Sequence, residues 1–574
     1  ALGQVTKLDV YSNTVLDTQD VGSSPRHISL TGDGGKLFVS RFITPPLPDE
    51  STLDPKKSDV SGDRGGEVLV LDPSTLAVLN TVVLKHSDRQ PAELTGPGFP
   101  NYLGPAIISP SGQTAYVPSK QDNILRGLSR NGSPLNHEHT VRAVTSVFDL
   151  VAEAEIDGSR IDHDNASIAR NGAFDPFGLF LYVALEGNRE VVLVDAFGYQ
   201  EITRIAVGFA PQSVATSADG TRVYVHNFLG RSVTVLDATN LMNGTANSAA
   251  VTGSIPVVAS EKLPAQVLQG KRLFYDALDP RLALDSYMAC ASCHNDGGHD
   301  GRVWDISSMG EGLRNTINLK GHSGMGHGPL HWSANFDEVQ DFENQIRDLA
   351  GGTGLMSDTD YAATQDTLGP PKAGLSADLD ALAAYVASLS ATEPSPYRNA
   401  DGSLTADGAA GKALAATYNC TSCHSGDRFT DSEFGTAHDV GTLTGASGQR
   451  LFGPFTEVDT PTLKSLWTTA PYLHDGSAMT LRAAVLAHDP SVFGGAAPTD
   501  PELDQIVSYL LQIDDREGGG PPPQVWASQD VGAVAAAGSF SENSGTFTIQ
   551  ASGADIWGNL DEFHYAYQTL DGDG

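Results

Sequence analysis

Two short motifs constrain this chain more than anything else in it: Cys290-Ala-Ser-Cys293-His294 and Cys420-Thr-Ser-Cys423-His424. The chain has 4 cysteines, and the two motifs use all of them. None remains for a disulfide or a thiolate zinc site. Two thiols at this spacing reach both vinyl groups of one porphyrin and form thioethers, and the adjacent histidine then lies under the iron as an axial ligand. One Cys-x-x-Cys can arise by chance. Two copies that each continue into His and exhaust the cysteines predict two covalently bound haem c groups, held by Cys290, Cys293, Cys420 and Cys423 and ligated by His294 and His424. Haem is attached to such motifs outside the bacterial cytoplasm, so a periplasmic or extracellular protein is expected. The chain starts at Ala1 without a methionine, as it would after removal of a leader or within a longer chain.

A set of 70 acidic against 35 basic residues gives a net charge of −35. Such a surface repels nucleic acid and anionic membranes, and neither is expected as a partner. It would favour a basic redox partner protein or a salty medium, and it serves solubility in any case. No transmembrane segment is expected, because no stretch reaches the roughly 18 apolar residues that one needs. The length, 574 residues with 61 glycines, exceeds one domain and suits β-rich, loop-rich units.

The fold class expected is multidomain. Over 1–258 a small polar turn followed by an aromatic-Val strand recurs, at 29–42, 108–120, 174–188 and 216–228. Alternating apolar strands follow, as at 65–84, 189–208 and 231–240. The pairs Tyr182-Val183 and Tyr224-Val225 lie 42 residues apart, close to the length of a four-stranded blade. These repeats resemble the YVTN-type β-propeller family. Four blades are clear, with loops inserted at 43–64 and 121–160. Helical spacing then appears at 262–279, 336–350, 376–389 and 501–513, giving two mainly α cytochrome c domains at 259–395 and 396–516. A Gly/Pro linker follows at 517–523. Residues 524–574 resemble the start of a β-sandwich module, here a C-terminal fragment.

The flanks of the two motifs carry a second resemblance. GKRLFYDALDPRLALDSYMACASCH (270–294) resembles the lead-in to the first haem of the dihaem cytochrome c peroxidase family and its MauG-type relatives. VDTPTLKSLWTTAPYLHDGSAMTLRAAVLAH (458–488) resembles that family's segment after the second haem. The resemblance covers roughly 265–515. It implies a haem oxidoreductase in which hydrogen peroxide, or another small oxidant, reacts at the first haem while the second relays electrons. An electron-transfer protein without catalysis and a haem-dependent oxygenase are the competing readings.

The same resemblance assigns roles residue by residue. The family's sixth ligand to the second haem falls fourteen residues after the histidine of Tyr-x-His-Asp-Gly, here at His488, with Met479 as the competitor. The family's distal histidine of the first haem would fall at Ser307, so an open or water-ligated first iron is expected, with His299, His322, His327 and His331 as alternatives. Trp332 resembles the tryptophan found between the haems. Gln340 and Glu343 are candidates for the pair that assists peroxide cleavage, although their spacing departs from the family's. Asn315, Thr469 and Pro471 match an expected calcium site, for which hard oxygen ligands are suited. Outside the resemblance, the polar cluster His137, His139, Asp162, His163 and Asp164 could bind a metal.

Overall fold

The computed structural model describes residues 3–59, 62–322, 324–517, 527–543, 546–553 and 562–567. Strands occupy the N-terminal part as four successive antiparallel sheets. The first joins Pro25–Leu30, Leu37–Arg41, Gly65–Leu71 and Val78–Lys85. The second is built on the long ladder of Thr114–Asp122 against Val141–Asp149. The third runs from Ala169–Phe174 to Gln200–Ala206 and the fourth from Pro211–Thr216 to Ala250–Pro256.

Apolar faces join each sheet to the next. Phe38, Val68 and Val82 of the first pack on Ala115, Val117 and Phe148 of the second. Tyr116, Ala143 and Val147 pack on Leu181, Val183 and Val192 of the third. Tyr182, Val191 and Leu193 pack on Val223, Val225 and Leu236 of the fourth. Each valine, leucine or phenylalanine among them contributes about 1.5–3 kcal/mol when fully buried. A two-stranded hairpin, Gln4–Leu8 with Val15–Asp20, covers the free face of the first sheet through Val5.

One local device recurs through this region. Asp9, Asp72, Asp149, Asp195 and Asp237 each end or directly follow a strand, and each accepts a hydrogen bond from the backbone N–H two residues on, at 2.7–2.9 Å. A short carboxylate that bonds its own turn fixes the reversal into the next strand. The hairpin at 4–20 therefore repeats the third-to-fourth strand reversal of the four sheets.

Residues 141–149 overturn the expectation of an inserted loop over 121–160. They form a full strand whose first eight residues are buried. Covered by neighbours on both faces, the strand has no polar face, and the alternation that marks a half-buried strand is missing.

Four longer helices follow: α1 Ala265–Tyr275, α2 Ala377–Ser388, α3 Ala406–Thr417 and α4 Asp500–Leu510. Ser376 and Thr405 cap α2 and α3 by accepting from Leu379 and Gly408 N–H, and Thr499 with Glu502 forms a capping box on α4. α1 crosses α2 and α3 crosses α4 in the same way. A Cβ on Gly270 would lie 1.8 Å from the Ala381 carbonyl oxygen, and one on Gly411 would lie 1.9 Å from that of Gln505. In both crossings a tyrosine four residues further on, Tyr385 or Tyr509, stands 2.9 Å from the same point.

The core around α1 and α2 takes in Ala291 of the first motif and also Ile168, Ala210 and Leu229 from turns at the ends of the third and fourth sheets. The core of α3 and α4 packs against Cys420 of the second motif. Of the C-terminal residues, two ladders are described, Ala527–Val531 with Phe563–Tyr567 and Ser539–Asn543 with Thr546–Gln550. The expected Gly/Pro linker, apart from Glu517, lies outside the described residues. No helix among the described residues is long and apolar enough to cross a membrane.

Candidate haem sites

The first motif forms a helical turn, Ala291–His294, and the N-terminal sheets hold it almost residue by residue. Ser167 Oγ meets Ser292 Oγ at 2.9 Å. Tyr102 Oη donates to the Cys293 carbonyl at 2.7 Å. Asn295 Nδ2 donates to Glu186 Oε2 at 3.0 Å. Asp296 is paired with Arg26 and accepts from Tyr275 Oη at 3.0 Å. None of these partners was legible in the sequence, because Tyr275 lies fifteen residues before the motif and the others more than one hundred, and only the fold brings them there.

His294 Nδ1 lies 3.1 Å from the Gly298 carbonyl. A carbonyl only accepts, so Nδ1 carries the proton and Nε2 keeps its lone pair for a metal. Burial pulls this imidazole below its usual range, which favours the neutral, ligating form.

The second motif begins in a 3-10 turn, Cys420–Ser422, entered through left-handed Asn419. His424 Nδ1 faces the carbonyls of Pro461 at 3.1 Å and Phe429 at 3.3 Å, and burial, with His488 nearby, pushes the imidazole down to about 4. His488 ties its own Nδ1 to the Ala484 carbonyl at 2.9 Å. Both rings therefore offer Nε2. Cys420, Cys423, His424 and His488 line one cavity of about 610 Å³, within the roughly 300–1,000 Å³ typical of cofactor sites. The donor set and the volume fit a haem c.

Met479 is 53% exposed and does not line this cavity, so the structure brings His488 to the second motif and leaves its competitor outside. Trp332 does line it, and its Nε1 donates to the Asn315 carbonyl at 2.9 Å. Asn315, Thr469 and Pro471 meet at the same wall. Asn315 Nδ2 donates to the Pro471 carbonyl at 2.6 Å, while its Oδ1 is buried without a partner.

Other expected site residues do not reach a reactive position. Glu343 is fully buried and both its oxygens are taken: Oε1 by Arg347 Nε at 2.8 Å, Oε2 by Leu355 N–H at 2.9 Å. Gln340 donates to Asp380 on α2 at 2.9 Å. These contacts leave neither side chain free for chemistry at a haem. His299 uses both nitrogens, on Thr468 O at 2.6 Å and Gly301 N–H at 3.1 Å. His331 binds Asn335 Oδ1 through Nδ1 at 2.7 Å, which leaves Nε2 as its other nitrogen. His322 lines the cavity of the second motif. The side chain of His327 lies outside the described residues.

The polar cluster at 137–164 does not converge on a metal. His137 faces Asp285, Asp162 pairs with Arg142, Asp164 accepts from Tyr287, and His163 bonds Glu201 and Thr145. Asp164 also pairs with Arg142, at 3.3 Å, and His139 faces Glu138 at 3.4 Å, so a buried cation and neighbouring side chains take up these groups.

No family model matches the chain. Among curated proteins, hydrazine synthase subunit gamma of Kuenenia stuttgartiensis is 28% identical over 285 residues, 41% of this chain and 74% of that protein. Cytochrome c peroxidase Ccp of Escherichia coli is 27% identical over 295 residues, 44% of this chain, and the match spans 59% of that enzyme. Methylamine utilization protein MauG of Methylorubrum extorquens is 30% identical over 262 residues, 40% of this chain and 70% of that protein. With MauG related at this level over most of its length, and with two histidines of Cys-x-x-Cys-His motifs each oriented through Nδ1, the chain belongs to the MauG and cytochrome c peroxidase family of haem oxidoreductases.

Proposed function

We propose that this chain is an exported dihaem c-type cytochrome that acts as an oxidoreductase, with a small oxidant such as hydrogen peroxide reacting at the first motif and electrons passing through the second. The observation that carries this reading is the shared cavity of His424 and His488, in which both imidazoles present Nε2. Haem at each motif would supply one-electron redox chemistry.

The residues divide the work. Cys290 and Cys293, and Cys420 and Cys423, would hold the two groups covalently, with His294 and His424 as proximal ligands. His488 would close the sixth position at the second motif. At the first motif, His299 is spent on hydrogen bonds, and the sixth position would be open or water-ligated, with His331, whose Nδ1 alone is taken by Asn335, as the alternative ligand. Trp332 would bridge the two motifs, held by its bond to Asn315. A calcium ion would sit at Asn315 with the carbonyls of Thr469 and Pro471. Turning the Asn315 amide over would bring its orphaned Oδ1 toward them, an arrangement that repels without a cation. The sheets at 1–258 are read as propeller blades, the helices as two cytochrome domains at 259–395 and 396–516, and 524–574 as part of a sandwich. A redox partner protein, basic where it meets this acidic chain, would exchange electrons with the second motif.

A pure electron carrier is the second reading, favoured by the Glu343–Arg347 pair, which removes the expected carboxylate acid/base. Low-temperature EPR of the fully oxidised and half-reduced protein separates the two. A high-spin ferric signal that shifts with peroxide or cyanide is expected. Two low-spin signals unmoved by either ligand would leave the carrier.

A further inference from the structure

Lys120 comes from a strand of the second sheet, yet its side chain ends beside the first motif. It is fully buried, with Nζ 3.0 Å from Asp122 Oδ1 and 3.2 Å from Asp300 Oδ2. Nζ also stands 4.4 Å from the centroid of the Tyr102 ring, the same ring whose hydroxyl donates to the Cys293 carbonyl. Asp300 lies six residues past His294. Its carboxylate accepts from the Arg302 N–H at 3.0 Å and from Trp304 Nε1 at 3.1 Å. Arg302, equally buried, pairs with Glu50 at 3.0 Å. The cluster thus holds two cations against three carboxylates.

Stability alone does not account for it. Each buried ion costs several kcal/mol of desolvation, and an apolar replacement of the same shape is often neutral or better. A buried charge does one thing that an apolar side chain does not: it acts over distance where the dielectric is low. The cluster lies against the first motif, through Asp300 six residues past His294 and through Tyr102 on the Cys293 carbonyl. An oxidised iron carries one more positive charge than a reduced one. A fixed anion beside it favours the oxidised state, and a cation that neutralises the anion favours the reduced state.

We propose that Lys120, a residue of the N-terminal sheets, sets the reduction potential of the haem at Cys290–His294 by neutralising Asp300. The sheets are then a working part of the redox site. Tyr102 couples the two: its ring lies under the ammonium and its hydroxyl holds the motif. This inference rests on the haem reading of the first motif.

The test is a spectroelectrochemical titration of the full protein and three variants, with covalent haem counted in each. Lys120→Met should lower the potential of one haem and leave the other in place. Asp300→Asn should raise the same one. The charge-compensated double variant should return toward the unmodified protein, a rescue that loss of packing does not produce. Where Lys120→Met fails to accumulate, Asp300→Asn and the double variant carry the same comparison. Shifts of the same sign in both single variants, or no shift in either with both haems attached, would overturn the proposal. An unmodified protein with no haem on Cys290 and Cys293 would instead overturn the haem reading.

Discussion

His424 and His488 line one cavity, and each turns its Nδ1 away onto a backbone carbonyl, at 3.1 Å on Pro461 and 2.9 Å on Ala484. That orientation is what a pair of axial ligands requires. Replacing His488 by Met should raise the potential of the second haem, since a thioether ligand raises potential relative to a second imidazole. His488→Ala should turn its low-spin ferric EPR signal high-spin. Spectra unchanged in both variants would move the sixth ligand to another residue.

The two glycine crossings predict a stability effect. In Gly270→Ala and Gly411→Ala the new methyl meets a carbonyl oxygen of the partner helix at 1.8 and 1.9 Å, so the helices must part. The cost should reach the upper end of about 1–3 kcal/mol for overpacking, beyond the roughly 1 kcal/mol that alanine gains in helix propensity. Thermal unfolding should fall by roughly 5–10 °C for the affected domain. A melting temperature at or above that of the unmodified protein would contradict the crossing geometry.

Glu343 is expected to matter for stability and not for ligand chemistry. Breaking a buried ion pair costs about 3–5 kcal/mol, and here somewhat less because Arg347 keeps Asp358 at 2.8 Å. Glu343→Gln should therefore lower the urea midpoint while cyanide affinity stays as it was. A large loss of reactivity toward peroxide with unaltered stability would restore the acid/base role.

A pH effect follows from His86, whose side chain is 4% exposed and whose imidazole burial pushes down to about 4, with Asp88 offsetting only part. The unfolded chain takes up its proton near pH 6.5 and the folded chain does not. Stability from this group is therefore full above pH 6.5 and is lost as pH falls toward 4. At pH 5 the loss is about 2 kcal/mol relative to pH 8. His86→Asn should flatten the pH dependence of the urea midpoint by that amount, and identical profiles would refute the assignment.

What the sequence determined by itself is local chemistry. Cys-x-x-Cys-His is complete within five residues, so its meaning does not depend on where the chain goes next. The helices around Gly270 and Tyr509, and the half-buried strands at 222–227 and 232–237, announce themselves by period, because one face is drier than the other. Strand 141–149 does not, since dry neighbours on both sides erase the period. The functional site divides along the same line. His488 was legible through a fixed offset from His474. That Met479 stands in solvent, that the Leu355 N–H takes the second oxygen of Glu343, and that Lys120 and Tyr102 reach the first motif from the N-terminal region were decided by tertiary structure alone. Contacts between residues tens to more than a hundred positions apart are set by how sheets and helices stack, and no spacing along the chain encodes them.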